Sequence, residues 1–519
     1  MDNSATGFNL IKALSKAKAY QHEVSAISVL ETHISWVLLT GSYAYKIKKP
    51  VNFGFLDFST LEQRRFFCYE ELRLNKRLAA DLYLAVVPIT GTVDDATMEG
   101  LGEILDYAVK MRQFPAGLTL SERAASQQLS ITEIDQLSEQ MASFHQNIAI
   151  ANLASPYGGS DDIHYWFKEN FTPIKTLLND INQQQPLKAL ESWGNKEWHH
   201  KAALMMQRKQ QGYVRECHGD LHLSNMTLIN GKVTLFDCLE FNPLLRWIDV
   251  ISEVAFVVID LLQAHEESLA FRLLNRYLQL TGDYQGVSLL RYYLVYRALV
   301  SAKVALLHQA QLATDRNQLL ARLKYQAFIA LAERYTQIAA VKLIISHGYS
   351  GSGKSTLMAE LAETLGAIHL RSDIERQRLL ADSAEQSSAC ALNSGLYSAE
   401  AKQKTYDYLA ECAQGILKAG FSVIVDATFL EHKHRQRFKH LAANCNVDFI
   451  IIDVQASYDT LCERIKLRQG DASEATLEVL AYQRQWAEEL TTDEQLEVIS
   501  IDKEAKNVLE TLLANISLR

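Results

Sequence analysis

The sequence predicts two units of different class. An α+β unit places a small sheet ahead of a large helical body, and an α/β unit with a parallel sheet and covering helices follows. Three observations predict this. All seven prolines lie at or before Pro243, so the second half of the chain differs in composition from the first. Strand-like runs dominate the early chain, whereas residues from about 131 to 338 are mostly helical in pattern. Helical periodicity through Leu319, Leu323, Leu331, Tyr335 and Ile338 then gives way to VKLIIS (341–346), a short buried strand, after which strand and helix alternate. The boundary is therefore expected at about 339, dividing the chain into 1–339 and 340–519.

Composition bounds what these units do. The chain has 519 residues, 48% of them apolar and 22% charged, which is enough apolar material for real cores and excludes a mainly disordered protein. A net charge of −9 argues against a global electrostatic grip on nucleic acid, while leaving room for a local basic groove. Seven cysteines, an odd number without CxxC spacing, read as reduced thiols in a cytoplasmic protein rather than as a disulfide frame or a zinc site. The first residues, MDNSATGFNLIK, have neither the basic nor the apolar region of a signal peptide. The most apolar run, Val254–Leu262, is short and contains Asp260, so no membrane span is expected. Oligomeric state is not readable.

In the first unit a helix is expected over about 8–20, then two strands, HISWVLLT and YAYKIKK, joined by a turn at Gly41-Ser42. A helix over 64–78 and strands near 82–90 and 105–113 follow. The helical remainder is interrupted twice, by ECHGDLHLSN and by KVTLFDCLEF. These interruptions carry chemistry. His218-Gly-Asp220-Leu-His222-Leu-Ser-Asn225 fits H-x-D-x-x-x-x-N, and Asp237 follows in a strand-like run. Phosphoryl transfer needs a base for the acceptor hydroxyl, an amide oxygen five residues on to hold Mg²⁺, and a second carboxylate on the metal. Asp220, Asn225 and Asp237 match those three roles, with Glu240 as a further metal or water contact.

The nucleotide parts that would go with this loop lie upstream. Ala44-Tyr-Lys46 has the A-x-K form of a lysine strand, and alternation turns Ala44 and Lys46 to one face. Lys48 shares that face and is a rival. On the following helix Glu71 shares a face with Phe67, Leu74 and Leu78, whereas Glu70 points elsewhere, so Glu71 is the better partner for Lys46. Only Gly41 stands where a glycine-rich loop is wanted, and backbone at Thr40–Tyr43 is the alternative cradle.

A small sheet, a helical body and this loop together have the order of a bilobal kinase-like fold. Residues 25–335 resemble the aminoglycoside phosphotransferase and choline kinase superfamily. With AYKIKKPVNFGFLDFSTLEQRR, RECHGDLHLSN, LFDCLEFN and RWIDV, nearly the whole chain resembles a bacterial two-domain family: an aminoglycoside-phosphotransferase-like domain fused to an AAA_33 ATP-binding domain. The resemblance implies that Asp249 is the buried carboxylate bracing the catalytic loop and that VKMRQF (109–114) is the hinge against adenine. Ser252-Glu253 stands where that family has an Asp-rich run, a departure that concerns support of the loop.

The second unit opens on Gly348-Tyr349-Ser350-Gly351-Ser352-Gly353-Lys354-Ser355-Thr356, which satisfies G-x-x-x-x-G-K-S/T between a predicted strand and a predicted helix over 354–365. Such a loop turns backbone N–H groups inward and adds the positive end of a helix, which together cradle a phosphate. Lys354 is expected on the β/γ-phosphates of ATP, and the Ser355 hydroxyl on Mg²⁺. Asp373, just after the second strand, is placed to accept the proton of a substrate hydroxyl, and its other reading is as the N-cap of the following helix. Asp426 ends the buried strand FSVIVDATF and suits Mg²⁺ or its water. Arg464 and Arg468, four apart, are either lid groups over the transferring phosphate or a solvated helix face.

Residues 341–500 resemble the AAA_33 family, which is similar to polynucleotide kinases, gluconate kinases and zeta-type toxins; GYSGSGKST, LRSDIERQRL, LYSAEAKQKTYDYL, VIVDATF and DASEA carry the match. The resemblance implies Asp373 as general base and Arg371 and Arg376 as phosphate or substrate contacts. The expectation is an ATP- and Mg²⁺-dependent phosphotransferase, bifunctional, acting on the hydroxyl of a small molecule. Two alternatives stand beside it. One is a regulatory ATP-binding protein with a silent kinase-like domain. The other is a polynucleotide-kinase-like C-terminal half, for which His432-Lys-His-Arg435-Gln-Arg437 would be the basic cluster unless that cluster is a solvated helix face.

Overall fold

The computed structural model describes residues 3–54, 56–178, 184–310, 312, 314–382, 399–467, 475–502 and 507–518. It forms two compact units. The first gathers residues 1–136, 147–165 and 202–260, and the second gathers 137–146, 166–201 and 261–519. Residue 339 thus lies inside the second unit, which packs the helices Glu267–Thr281, Val287–Gln309 and Asp315–Thr336 together with the C-terminal sheet.

In the first unit six strands form one antiparallel sheet: β1 (Ser28–Glu31), β2 (Ser35–Leu39), β3 (Tyr43–Lys48), β4 (Tyr83–Thr92), β5 (Asp95–Met98) and β6 (Ile104–Arg112), in the order β1-β2-β3-β6-β4-β5. The β2–β3 hairpin turns at Gly41-Ser42 with Leu39 opposite Ala44, and Lys46 lies between Val37 and Val109. Both faces of β3 are covered. Tyr45 and Ile47 join a core with Leu10 and Leu14 of the first helix, which runs over Asn3–Leu14, earlier than the pattern predicts. Ala44, on the other face, packs with Cys68, Tyr83 and Met111. Helix Leu61–Asn75 lies on that face, started by a capping box in which Thr60 and Gln63 exchange bonds. The strand lysines therefore lie beneath a helix instead of in water.

Beyond the sheet this unit holds helices, most of Val250–Gln263 among them, and two small ribbons. β7 (Val214–Glu216) pairs with β10 (Trp247–Asp249), and β8 (Met226–Ile229) with β9 (Lys232–Leu235). The loop 217–225 runs between β7 and β8, and Asp237 follows β9.

The second unit holds a five-stranded parallel sheet: β11 (Lys342–His347), β12 (Ile368–Arg371), β13 (Val423–Asp426), β14 (Asp448–Gln455) and β15 (Val498–Asp502), in the order β12-β13-β11-β14-β15. Every pairing in it is parallel, as the alternation of strand and helix predicts. Helix Lys354–Leu365 packs Leu357, Met358 and Leu361 onto Ile344, Ile424 and Ile452, which seats the glycine loop at the carboxyl end of β11. The fold class is thus an α+β arrangement with a small antiparallel sheet, followed by a P-loop parallel sheet.

Candidate active sites

In the first unit the lysine pair is bound to carboxylates on every side. Lys46 Nζ lies 2.9 Å from Oε1 of Glu71 and also pairs with Asp237. Lys48 Nζ lies 2.7 Å from the other oxygen of Glu71 and also pairs with Glu240. Glu71 is fully buried and bridges both ammonium groups. Burial alone would raise its pKa, but the two lysines more than reverse this and hold the carboxyl down to about 2. The two lysines differ in reach: Lys46 meets Asp237, and Lys48 turns to Glu240. Glu240 is buried and pairs with Lys48. Glu70 points away, bonded to Arg73 and Arg246.

The loop between β7 and β8 gathers the other expected groups. Asn225 donates its amide to the Asp220 carbonyl at 2.9 Å and to the Asp220 carboxylate at 3.3 Å. Nε2 of His222 lies 3.5 Å from that carboxylate, while its Nδ1 accepts from the Ser224 N–H at 3.2 Å. Burial would lower the His222 pKa, but Asp220 outweighs it and raises it. Asp237 adopts φ 64°, a left-handed conformation that costs about 1 kcal/mol or more for a residue with a Cβ. The Tyr83 hydroxyl accepts from its N–H at 3.1 Å and helps to hold it there.

What braces this loop differs from the expectation for Asp249. Asp249 is buried, but its oxygens are taken by Arg208 at 2.7 and 2.8 Å and by the N–H of Ile251. The loop's own N–H groups go elsewhere. Glu253 accepts from His218 at 3.2 Å and from Gly219 at 2.7 Å, and Asp260 accepts from Leu223 at 2.8 Å. Both carboxylates stand on helix Val250–Gln263, so the brace comes from Asp260 and from Glu253, the latter within the departure from the family pattern. The stretch expected as the hinge runs into the loop after β6. There the Gln113 N–H donates to the Ser42 carbonyl at 3.2 Å, and the Gln113 side chain accepts from the N–H of Gly41 at 2.8 Å.

In the second unit the phosphate loop follows β11 as expected. Gly348 has φ 135°, and a Cβ there would lie 2.6 Å from the Val454 carbonyl oxygen; Gly351 has φ 88°, and its Cβ would lie 3.0 Å from that of Leu461. Neither position admits a side chain without displacing backbone. Lys354 curls over the loop, donating to the Tyr349 carbonyl at 2.7 Å and lying 3.4 Å from Oγ of Ser352. Gln483, from helix Leu477–Trp486, bonds both the N–H of Ser350 (3.1 Å) and its hydroxyl (3.0 Å). Arg464 donates to the Ser352 carbonyl at 3.1 Å. Arg468 lies outside the described residues.

A cavity of about 830 Å³ opens over this loop. Ser350, Gly351, Gly353, Lys354, Ser355, Thr356, Asp373, Asp426 and Arg464 all line it. Burial would raise the pKa of Asp426, but His369, Arg371 and the Ser355 hydroxyl reverse this and hold it well below the usual carboxylate range. A carboxylate kept ionised beside a serine hydroxyl is a hard oxygen pair of the kind Mg²⁺ takes. Asp373 sits in the first turn of helix Ser372–Asp382 and pairs with Arg376 one turn on.

Sequence reasoning missed the far wall of this cavity. Lys402 lies 3.9 Å over the Trp486 ring and pairs with Glu431, and burial lowers its pKa. Tyr406 stacks on His434 with centroids 3.8 Å apart, and burial pushes His434 down to about 4. Lys402 and Tyr406 belong to LYSAEAKQKTYDYL and His434 to the basic cluster, but neither run tells which of its residues line a cavity; the folding of distant helices brings them together. The basic cluster 432–437 is divided: His434 and Arg435 are buried, whereas Lys433 is exposed. Arg435 is fully buried against Glu494 at 2.8 Å, Lys433 pairs with Glu431 at 2.6 Å, and Arg437 pairs with Asp407.

Residues 343–490 match the AAA_33 family, described as an AAA domain. The Uncharacterized protein Rv2004c of Mycobacterium tuberculosis (strain ATCC 25618 / H37Rv) is 30% identical over 455 residues, covering 88% of this chain and 89% of that protein. A protein of Mycobacterium bovis (strain ATCC BAA-935 / AF2122/97) matches to the same extent. Among solved structures, a choline/ethanolamine kinase family protein from Mesorhizobium loti is similar over 63% of this chain and 99% of its own, with 11% identity and a TM-score of 0.36. A sugar kinase from Janibacter sp. HTCC2649 is similar over 34% of this chain and 95% of its own, with 20% identity and a TM-score of 0.27. The chain belongs to the family of these mycobacterial proteins, and its residues 343–490 match the AAA_33 domain.

Proposed function

We propose that the protein is an ATP-dependent phosphotransferase acting on the hydroxyl of a small molecule, with one nucleotide site in each of its two domains, 1–339 and 340–519. The observation that carries this reading is the single cavity lined by Lys354, Ser355, Asp373, Asp426 and Arg464. There the loop N–H groups and Lys354 bind the β- and γ-phosphates. Ser355 and Asp426 would hold Mg²⁺, which neutralises charge on the phosphates when bound. Asp373 takes the proton of the acceptor hydroxyl as its oxygen bonds to the γ-phosphorus, while the bond from that phosphorus to the bridging oxygen of ADP breaks. Arg464, with Arg468, supplies positive charge to the transferring group. In the first domain Asp220 is the corresponding base, Asn225 and Asp237 the metal ligands, and Lys46, oriented by Glu71, the phosphate contact.

A second reading applies to the first domain alone: it binds nucleotide without turnover. It is favoured by the Gly41 N–H, the group closest in kind to a glycine-rich loop donor, being taken by the Gln113 side chain. Internal bonding of the basic cluster weakens the polynucleotide-kinase reading. Reduced cysteines support a cytoplasmic setting; among the described residues no helix is long and apolar enough to cross a membrane.

The test is incubation of γ-labelled ATP with a pool of small hydroxylated metabolites. Labelled product that disappears in Lys354→Ala and Asp373→Asn supports the C-terminal reaction, and product that disappears in Asp220→Asn supports the N-terminal one. Label released by neither route sinks the reading.

A further inference from the structure

Strand β12 lies at the edge of the parallel sheet, with β13 on one side only. An edge strand leaves alternate N–H and C=O groups without a ladder partner. At the start of β12 one side chain takes two of these groups. Asn275, buried on the Glu267–Thr281 helix, donates to the carbonyl of Ala367 at 2.9 Å and accepts from the N–H of His369 at 2.9 Å. A side-chain amide offers a donor and an acceptor side by side, so it copies the pairing of a neighbouring strand. One helical turn on, Gln279 Nε2 lies 3.4 Å from Nδ1 of His369. This contact holds the ring by its Nδ1 edge and leaves Nε2 pointing the other way. That nitrogen faces the Asp426 carboxylate at 3.7 Å.

The same stretch of helix holds the element that follows β12. Arg378, on the Ser372–Asp382 helix, donates to the Gln279 carbonyl and pairs with Glu375. Gly282, with φ +74°, lies so close that a Cβ would stand 2.8 Å from Nε of Arg378. Buried Tyr284 lies against buried Glu375 and is lifted in pKa, first by burial and then by that carboxylate. Glu375 and Arg378 are two residues out of step with Asp373 and Arg376, so the helix is anchored on one face and presents the cavity residues on the other.

We infer that Asn275 and Gln279 are positioning residues for the P-loop site: they fix the edge strand and, through His369, the carboxylate of Asp426. Both lie outside residues 343–490, so the helical body supplies a working part of the second site. The inference rests on the reading of that site as a magnesium–ATP site.

Calorimetry on the full chain tests it. The signal is the component of ATP binding that Lys354→Ala removes, measured with Mg²⁺ and again with a chelator. Gln279→Ala is expected to leave affinity in chelator within about twofold of the parent, while the gain on adding Mg²⁺ falls about tenfold. Asn275→Ala is expected to act in the same direction; if that buried change prevents folding, the half-buried Gln279 decides alone. An undiminished magnesium gain in Gln279→Ala overturns the inference, as does an equal loss with and without the metal. A parent chain with no Lys354-dependent binding at all would instead overturn the reading beneath it, and that result is distinguishable because it appears before any helix variant is made.

Discussion

The two candidate sites reach a similar chemistry by opposite routes. The P-loop is local: Lys354 bonds to Tyr349, five residues away, and the loop's shape is set by glycines at positive φ. The Lys46 site is assembled from afar, since Lys46 meets an aspartate 191 residues downstream and both strand lysines share one glutamate from a helix. The comparison teaches that a phosphate site made from backbone needs little tertiary support at its centre, whereas one made from buried side-chain charges is only as sound as its ion pairs.

The largest expected effect falls on the local site. Lys354→Ala should weaken its magnesium–ATP binding by on the order of a hundredfold or more, as read by calorimetry, with the thermal unfolding temperature nearly unchanged. A large stability loss in this variant would erase the contrast between the two sites.

Glu71→Gln should do the reverse. It leaves two buried ammonium groups short of a partner and should cost about 3–5 kcal/mol of stability, measured by urea unfolding, while Lys354-dependent binding persists. The pH dependence follows from the same cluster. The Glu71 carboxyl ordinarily titrates near 4.5 and is held down to about 2 in the folded chain. Its stabilisation is therefore fully present above pH 4.5 and is lost as the pH falls toward 2. A Glu71→Gln chain should lack this part of the acid-induced loss.

A smaller effect is expected at Glu253→Ala. Two buried N–H groups of the catalytic loop lose their acceptor, which costs about 1–3 kcal/mol and lowers turnover at the Asp220 site in steady-state assay without touching the Asp373 site. Equal loss at both sites would mean that the sites are not independently braced. The smallest is Gln483→Ala, which removes two hydrogen bonds to Ser350 and should weaken ATP binding at the P-loop about fivefold.

These contrasts track what was legible beforehand. The P-loop helix was placed at its observed span, 354–365, because glycine spacing, a preceding strand and a following helix all lie within a few residues. The Lys46–Glu71 pair was legible because strand and helix periodicities each fix which residues share a face. Lys48 beneath a helix was not, since alternation tells which face a residue takes but not what covers it. The departure at Ser252-Glu253 was legible as a change in loop support, but not that Glu253 itself takes the loop N–H groups, since packing brings it there from 34 residues away. The cluster 432–437 reads as one charged face in sequence, yet Arg435 is buried because Glu494, 59 residues on, comes to meet it.

By itself the sequence determined the class of each unit, the phosphate loop and the candidate bases and metal carboxylates, because spacing within a strand, turn or helix dictates local geometry. Tertiary structure alone decided which lysine meets Asp237, what holds the loop of Asp220, and that a helix ahead of the second sheet pins the edge strand beside Asp426. Those contacts join residues tens to hundreds of positions apart, and the chain commits to them only when burial forces each charged or polar group to find a partner.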